Sequence, residues 1–196
     1  MSNLQRLSSI VPMPETEAAG SAGHVQKEYE KGKAQLERRS YGEAAVSLHN
    51  ALLGFEEKED LNGVANASNQ LGQLCLATED YDGAEKHFMK ARKVCEQLGD
   101  PLSLFALSKS FVEVYIGQQK YIKAVAGCLD ILELYQANND PRGAVAILEK
   151  IANIYLLQEE PVKAADTFRT VASIHRNFGH RNIADSFDKK AEELSS

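Results

Sequence analysis

The side chains that most often carry out catalysis or bind metals are scattered along this chain. Its five histidines form neither an H-E-x-x-H motif nor another paired metal-ligand spacing. The sequence contains no glycine-rich phosphate loop and no Gly-x-Ser-x-Gly nucleophile elbow. Acidic runs such as Glu56–Asp60 are typical of solvated helix ends, where a carboxyl group lacks the burial that tunes a catalytic acid. These patterns predict a protein without enzymatic activity, cofactor or bound metal.

Composition excludes several further classes of protein. The chain has 196 residues, of which 43% are hydrophobic and 26% charged, as in soluble globular proteins. Its formal net charge of −6 argues against a nucleic-acid partner. No stretch approaches the roughly 18 consecutive apolar residues of a membrane span. Cys75, Cys95 and Cys128 form no C-x-x-C pair and fall in apolar helical patterns, so we expect free, buried thiols in a cytoplasmic protein.

A forty-residue repeat organises most of the chain. Similar segments begin at Tyr41, Tyr81, Tyr121 and Pro161, each with alanine at its fourth place. The eighth and eleventh places are also apolar or small, and this i, i+4, i+7 spacing predicts a helix with one apolar stripe. The stripe positions are Ala44, Leu48, Ala51, Ala84, Phe88, Ala91, Ala124, Cys128, Ile131, Ala164, Phe168 and Val171.

Another apolar helical pattern precedes each of these segments, so every unit is predicted to be an antiparallel helix pair. Residues typical of helix ends recur between the pairs. Gly99 and Gly179 suit the left-handed conformation of the residue that follows a helix. Asp residues occupy the N-cap places, and Ser40 with Glu43 forms a candidate capping box. The predicted N-cap aspartates are Asp60, Asp100 and Asp140.

This pattern resembles the tetratricopeptide repeat. Unit two carries the fullest match, with Leu71-Gly72 on its first helix and Tyr81, Ala84, Phe88 and Ala91 on its second. The usual period is about 34 residues, and the forty-residue spacing is similar to the long-helix variant of Pins-type adaptors and rapsyn. The resemblance implies an all-α, right-handed α-solenoid of stacked helix pairs with a C-terminal capping helix.

The expected units span about 24–60, 61–100, 101–140 and 141–180, followed by a capping helix over 181–195. Residues 1–23 lack the repeat and contain prolines and glycines, so we expect a flexible N-terminal tail, with docking of its apolar positions as an alternative. Lys31 and Gln35 replace apolar residues in unit one, which predicts a partly solvated first helix. Val112 replaces the unit-three glycine, which predicts slightly wider helix spacing there. The apolar face predicted for the capping helix comprises Ile183, Ala184, Phe187, Ala191 and Leu194.

The resemblance also implies that the first helix of each unit lines a concave groove. Asn and Gln side chains along it carry donors and acceptors for an extended peptide backbone, and lysines could pair with carboxylates. The candidate partner-binding residues are Tyr29, Lys33, Asn66, Asn69, Gln70, Gln73, Lys109, Glu113, Lys150 and Asn153.

These features predict a protein–protein interaction adaptor, or scaffold, that binds a peptide or helix of a protein partner. Two alternatives remain open. One is a chaperone or regulatory subunit that shields an apolar segment of a secretion or signalling protein, with Leu36, Leu76, Ile116, Leu156 and Leu157 facing inward. The other is a peptide or small-molecule sensor. Assembly into a homo-oligomer, through end-to-end stacking of short arrays, is also left open.

Overall fold

The computed structural model describes residues 15–195, with side chains from residue 23 onward. Over this range the chain forms nine helices and no strand. The first helices of the repeating pairs are α1 (Glu15–Glu37), α3 (Leu61–Ala77), α5 (Pro101–Gly117) and α7 (Pro141–Leu157). The second helices are α2 (Tyr41–Glu57), α4 (Tyr81–Leu98), α6 (Tyr121–Ala137) and α8 (Pro161–Asn177), and α9 (Arg181–Leu194) follows. The structure therefore confirms the all-α solenoid of stacked helix pairs.

The first helix begins earlier than the sequence analysis placed it. We expected a flexible tail up to residue 23, but α1 starts at Glu15 and runs through Gly20 and Gly23. A helical glycine costs about 1 kcal/mol without forbidding the helix, and both prolines of this segment precede Glu15 in the sequence. The remainder of the expected tail, residues 1–14, lies outside the described residues.

The turns between helices share one backbone design. In each turn one residue adopts a positive φ, and the next residue's N–H donates to a carbonyl five residues back. Gly99 and Gly179 are left-handed as predicted, with φ of 64° and 78°. The same conformation is adopted by six residues that the sequence analysis did not single out: Arg39, Glu59, Glu79, Gln119, Asn139 and Glu159.

Aspartate side chains cap four helices. The carboxylates of Asp60, Asp80 and Asp140 each accept a hydrogen bond from the backbone N–H three residues later, at 2.9–3.0 Å. Asp100 accepts from two N–H groups at 3.1 Å. The predicted aspartate caps are therefore confirmed, with Asp80 in addition.

The predicted capping box is wrong. Ser40 precedes α2 but makes no side-chain cap hydrogen bond. Glu43 instead accepts a hydrogen bond from Gln35 Nε2 at 3.0 Å, so its carboxylate is engaged with the preceding helix. The half-buried Gln35 thus ties α1 to α2 through a polar contact where other units have an apolar residue.

The predicted stripe forms the seam between the helices of each pair. Ala44, Ala84, Ala124 and Ala164 are completely buried, and so are the larger residues four places later. Gly72 lies against one of these, because a β-carbon at its position would come within 2.5 Å of the Phe88 ring. A small residue on the first helix therefore admits a large one on the second.

Unit three reverses this size relation. Val112 occupies the place of Gly72 and is 1% exposed, while Cys128 occupies the place of Phe88 and is completely buried. A larger side chain on α5 is thus offset by a smaller one on α6, which conserves the volume of the seam. This exchange opposes the wider spacing expected from Val112 alone.

Helix α9 covers the last pair. Ala184 and Ala191 are fully buried, and the Phe187 ring stacks on Phe168 with centroids 5.9 Å apart. Ile183, which was predicted for this apolar face, is 45% exposed and lies at its margin. Most polar residues of α9 are exposed, as a terminal helix requires, while Asp188 pairs with Arg176 of α8 and Lys190 lies over the Phe168 ring.

The fit between Gly72 and Phe88 generates a stability prediction. Gly72→Ala should destabilise the protein by about 1–3 kcal/mol, because the new methyl group overlaps a buried ring that has no room to move. The matched control is Gly42→Ala in α2, where a β-carbon meets nothing within 4 Å. The control should be neutral or stabilising by up to about 1 kcal/mol. Urea unfolding of both variants measures the difference, and equal stabilities would contradict the packing described here.

The caps generate a second prediction. Asp80→Ala should lower the free energy of unfolding by about 0.5–2 kcal/mol, because the Gly83 N–H loses its acceptor. Ser40→Ala, at the equivalent place before α2, should have a smaller effect because Ser40 makes no cap bond. Thermal unfolding of the two variants side by side tests this order, and a larger loss in Ser40→Ala would reverse it.

Candidate functional site

First helices of neighbouring units contact each other in the first half of the array. There α1 contacts α3 and α3 contacts α5 directly, in addition to the contacts between helices that are consecutive in the chain. We call the surface formed by the solvent-facing residues of α1, α3, α5 and α7 the first-helix face.

Two polar bonds join neighbouring helices across this face. Gln73 Nε2 donates to Ser110 Oγ at 3.0 Å, which links α3 to α5. The Lys150 ammonium forms an ion pair with the Glu113 carboxylate, which links α5 to α7. The two residues of each pair are 37 positions apart in the sequence. The second residue therefore lies in the next unit, three places earlier than the place equivalent to the first. They therefore occupy the same two places of the forty-residue frame.

The predicted binding residues have different roles on this face. Gln73, Glu113 and Lys150 bridge units, as just described. The Tyr29 ring packs edge-on against Phe55, with centroids 6.1 Å apart, and is half-buried in the core. The remaining candidates are exposed or half-buried polar side chains of the first helices: Lys33, Asn66, Asn69, Gln70, Lys109 and Asn153.

Lys109 is held by two aromatic rings. Its ammonium lies 4.3 Å from the Phe105 centroid and 5.4 Å from the Tyr135 centroid, and these rings meet edge-on at 5.4 Å. Such cation–π contacts contribute about 0.5–1 kcal/mol each at exposed sites. The Lys109 ammonium is therefore positioned on the first-helix face by aromatic rings, and no carboxylate of the described residues forms an ion pair with it.

A cleft of about 210 Å³ opens beside Lys109 between α5, α6 and α7. Lys109, Glu113 and Lys150 line it together with apolar side chains such as Ile131 and Ile147. Sequence reasoning found the three charged residues but missed Phe105 and Tyr135. Phe105 has no aromatic counterpart, since the equivalent places hold Ala65 and Val145, whereas Tyr135 lies 80 residues after Phe55, a partial repeat that could have marked it.

A second concave region surrounds Phe178, the residue that follows α8. Clefts of about 490 and 480 Å³ lie on its two sides, and both include Pro141 and Ile174. Phe178 itself is 58% exposed. The repeat pattern does not mark this position, since the equivalent residues are Leu98 and Asn138.

The leucines and isoleucine considered for an apolar groove lie near the ends of the first helices. Leu36, Leu76, Ile116 and Leu156 are half-buried and pack against the core. Leu157 alone of this set is largely open, at 53% exposure. Leu102 on α5 is more open still, at 81% exposure, so two large apolar side chains of the described first helices face solvent.

Thiol chemistry is suppressed by burial. Burial raises the pKa of the Cys128 thiol to about 11, and it also raises the pKa of Cys75 and of Cys95. The thiols are therefore protonated and unreactive at neutral pH. Burial, with help from Lys90, lowers the pKa of His87, which keeps this imidazole neutral.

Two properties of the described residues, 15–195, bear on the site. No group of three or more His, Cys, Asp or Glu side chains is arranged to hold a metal ion there. No helix of that region has both the length and the apolar character needed to cross a bilayer.

Similar folds occur among solved structures. A STAND signal-transduction ATPase with a tetratricopeptide repeat sensor, from Pyrococcus horikoshii, superposes with a TM-score of 0.63 at 18% identity over 86% of this chain. BtubC (BKLC) from P. vanneervenii superposes with a TM-score of 0.57 at 13% identity over 92% of this chain and 90% of its own. The fold is TPR-like.

At these identities the likeness concerns the fold alone, and the chain spans only 28% of the archaeal protein. No protein-family sequence model matches the chain, and no sequence relative was found among curated proteins. The TPR-like fold is that of a repeat scaffold whose helix pairs present an extended surface.

The ion pair between Glu113 and Lys150 generates a third prediction. A double-mutant cycle with Glu113→Ala and Lys150→Ala should give a coupling of about 0.2–1 kcal/mol, since both side chains are more than a third exposed. Raising the salt concentration should reduce this coupling. Glu113→Ala combined with Lys93→Ala on α4 is the additive control. Zero coupling at low salt would contradict a stabilising contribution from this pair.

Proposed function

We propose that the chain is a non-enzymatic adaptor that binds a peptide or helix of a protein partner along the first-helix face, in the cytoplasm. The observation that carries the proposal is the row of polar side chains on consecutive first helices, set on a TPR-like array. Asn66, Asn69 and Gln70 supply amide donors and acceptors suited to a peptide backbone. A rigid array that presents them in order lowers the entropic cost of binding.

The electrostatics favour a partner that brings carboxylates to this face. Lys150 is already paired with Glu113, so it is a weaker candidate for a partner's charge than sequence alone suggested. Lys109 is held by aromatic rings and Lys33 is exposed, so both remain available to a carboxylate. An acidic segment crossing α5 would meet Lys109 beside the cleft of about 210 Å³, where an apolar side chain of the partner fits.

A sensor for a peptide or small molecule is the second candidate. The clefts of about 490 and 480 Å³ beside Phe178 are within the usual size range of ligand sites. The archaeal protein of similar fold contains a tetratricopeptide repeat sensor, which accords with such a role. This candidate places the ligand near the C-terminal end of the array, whereas the adaptor places the partner along α3 and α5.

The test begins with affinity purification to obtain a partner and continues with the purified pair. Lys109→Glu and Asn69→Ala should each weaken binding by about tenfold or more in titration calorimetry, as substitutions at an interface centre do. The matched controls lie on second helices: Lys93→Glu on α4 repeats the charge reversal, and Asn50→Ala on α2 repeats the amide loss. Neither control should change the affinity.

Circular dichroism should show equal helicity for all four variants, because the substituted side chains are not part of the buried seam. If both first-helix variants bind as tightly as the unmodified chain, the partner does not use this face. If a control weakens binding as much as Lys109→Glu does, the second helices contribute to the site and the proposal is wrong.

A further inference from the structure

Two histidines face each other across the turn between α8 and α9. His175 lies in the last turn of α8, and His180 is the residue that caps α9. Their Nδ1 atoms are 3.4 Å apart. The backbone fixes this approach, because the His180 N–H donates to the His175 carbonyl at 2.9 Å.

Aromatic contacts hold both imidazole rings in place. The His175 ring stacks on Phe187 of α9, with centroids 5.7 Å apart and planes 8° apart. The His180 ring lies beside Phe178, with centroids 6.5 Å apart and planes 29° apart. The stacked Phe187 orients the half-buried His175 ring, whereas the exposed His180 ring has a looser contact with Phe178.

The separation of the two nitrogens matches a metal-binding geometry. A nitrogen–zinc bond is about 2.0–2.1 Å, and tetrahedral coordination then places two nitrogen ligands about 3.3–3.4 Å apart. We propose that His175 and His180 bind one divalent transition-metal ion of the zinc class through their Nδ1 atoms. Imidazole nitrogens are the side-chain ligands that Zn²⁺ and its neighbours in the series accept most readily besides thiolates.

The protons balance without an external acid or base. A hydrogen bond between the two Nδ1 atoms requires one ring to carry its proton on Nδ1. To ligate, that ring releases the Nδ1 proton to water and takes up a proton on Nε2. Both rings are then neutral imidazoles that present an Nδ1 lone pair to the metal.

The surroundings leave the site half-open. The two histidines line the cleft of about 480 Å³ that also includes Arg142 and Glu149, whose opposite charges offset each other near a bound cation. No third side chain joins the two imidazoles as a ligand within the described residues. The remaining coordination positions are therefore filled by water or by a donor atom of another molecule that enters the cleft.

Metal binding here would join α9 to α8. One ligand belongs to each side of the turn, so an ion held by both resists separation of the capping helix from the last pair. An ion that binds only the folded protein stabilises it in proportion to the logarithm of its concentration above the dissociation constant. Zinc should therefore raise the unfolding temperature of the protein.

The experiment is titration of the full chain with Zn²⁺, followed by calorimetry and by thermal unfolding. His175→Phe retains a ring that can stack on Phe187, and His180→Asn retains a good N-cap residue, so both variants should remain folded. Each should weaken Zn²⁺ binding at least about tenfold. The matched control is His24→Ala on α1, which removes a histidine outside the pair and should bind one ion per chain with unchanged affinity.

Three results would overturn the proposal. The first is the absence of any Zn²⁺ binding by the unmodified chain at millimolar concentration. The second is equal binding by all variants, which would place the ion elsewhere. The third is loss of binding in His24→Ala alone. These outcomes are independent of the adaptor role, since the pair lies at the α8–α9 turn and not on α3 or α5.

Discussion

One backbone hydrogen bond, repeated every twenty residues, sets the architecture of this protein. In all eight turns the N–H of the residue before a helix donates to a carbonyl five residues back, at 2.8–3.0 Å. This bond satisfies one of the carbonyls that the end of a helix leaves without a partner, and it reverses the chain within three residues. Helices α2 to α8, each of 17 or 18 residues, then follow each other without long loops. Residues that recur every forty positions therefore occupy equivalent places on the facing helices of each pair.

The turn requires a left-handed residue, and six of the eight are not glycine. A left-handed conformation costs such a residue about 1–2 kcal/mol, so the surrounding contacts must hold the chain in this form. Aspartate caps provide that support after Glu59, Glu79 and Asn139. After Arg39, Gln119 and Glu159 no side-chain cap bond forms, and the buried alanine of the next helix anchors the chain. The regularity of the array thus arises from packing and capping together, since the residue types of the turns favour a left-handed conformation only at Gly99, Gly179 and Asn139.

Much of the fold follows from the sequence because the seam repeats in register. Ala44, Ala84, Ala124 and Ala164 identify the second helices, and each of them is completely buried. The start of α1 could not be predicted in the same way, since glycines such as Gly20 weaken a helix without ending it. The capping box predicted at Ser40 is wrong for a different reason. Glu43 accepts a hydrogen bond from Gln35 on the preceding helix, and a local sequence pattern does not include contacts between helices.

The candidate site was predictable as a face but not as a set of contacts. Spacing placed Gln73 and Lys150 on the first helices, yet only the structure shows that they bridge to Ser110 and Glu113. The same side chains therefore stabilise the stacking of units and contribute to the exposed surface. Lys109 gains its position from Phe105 and Tyr135, which come from two helices, and Phe105 has no aromatic counterpart in the other units.

The central claim is that a protein partner binds the first-helix face. Its most direct test is amide hydrogen exchange of the chain with and without the purified partner. If the partner lies on the first-helix face, exchange should slow in residues 61–77 and 101–117, while the second helices over 81–98 and 121–137 keep their rates. Slowing confined to the second helices, with α3 and α5 unchanged, would contradict the account.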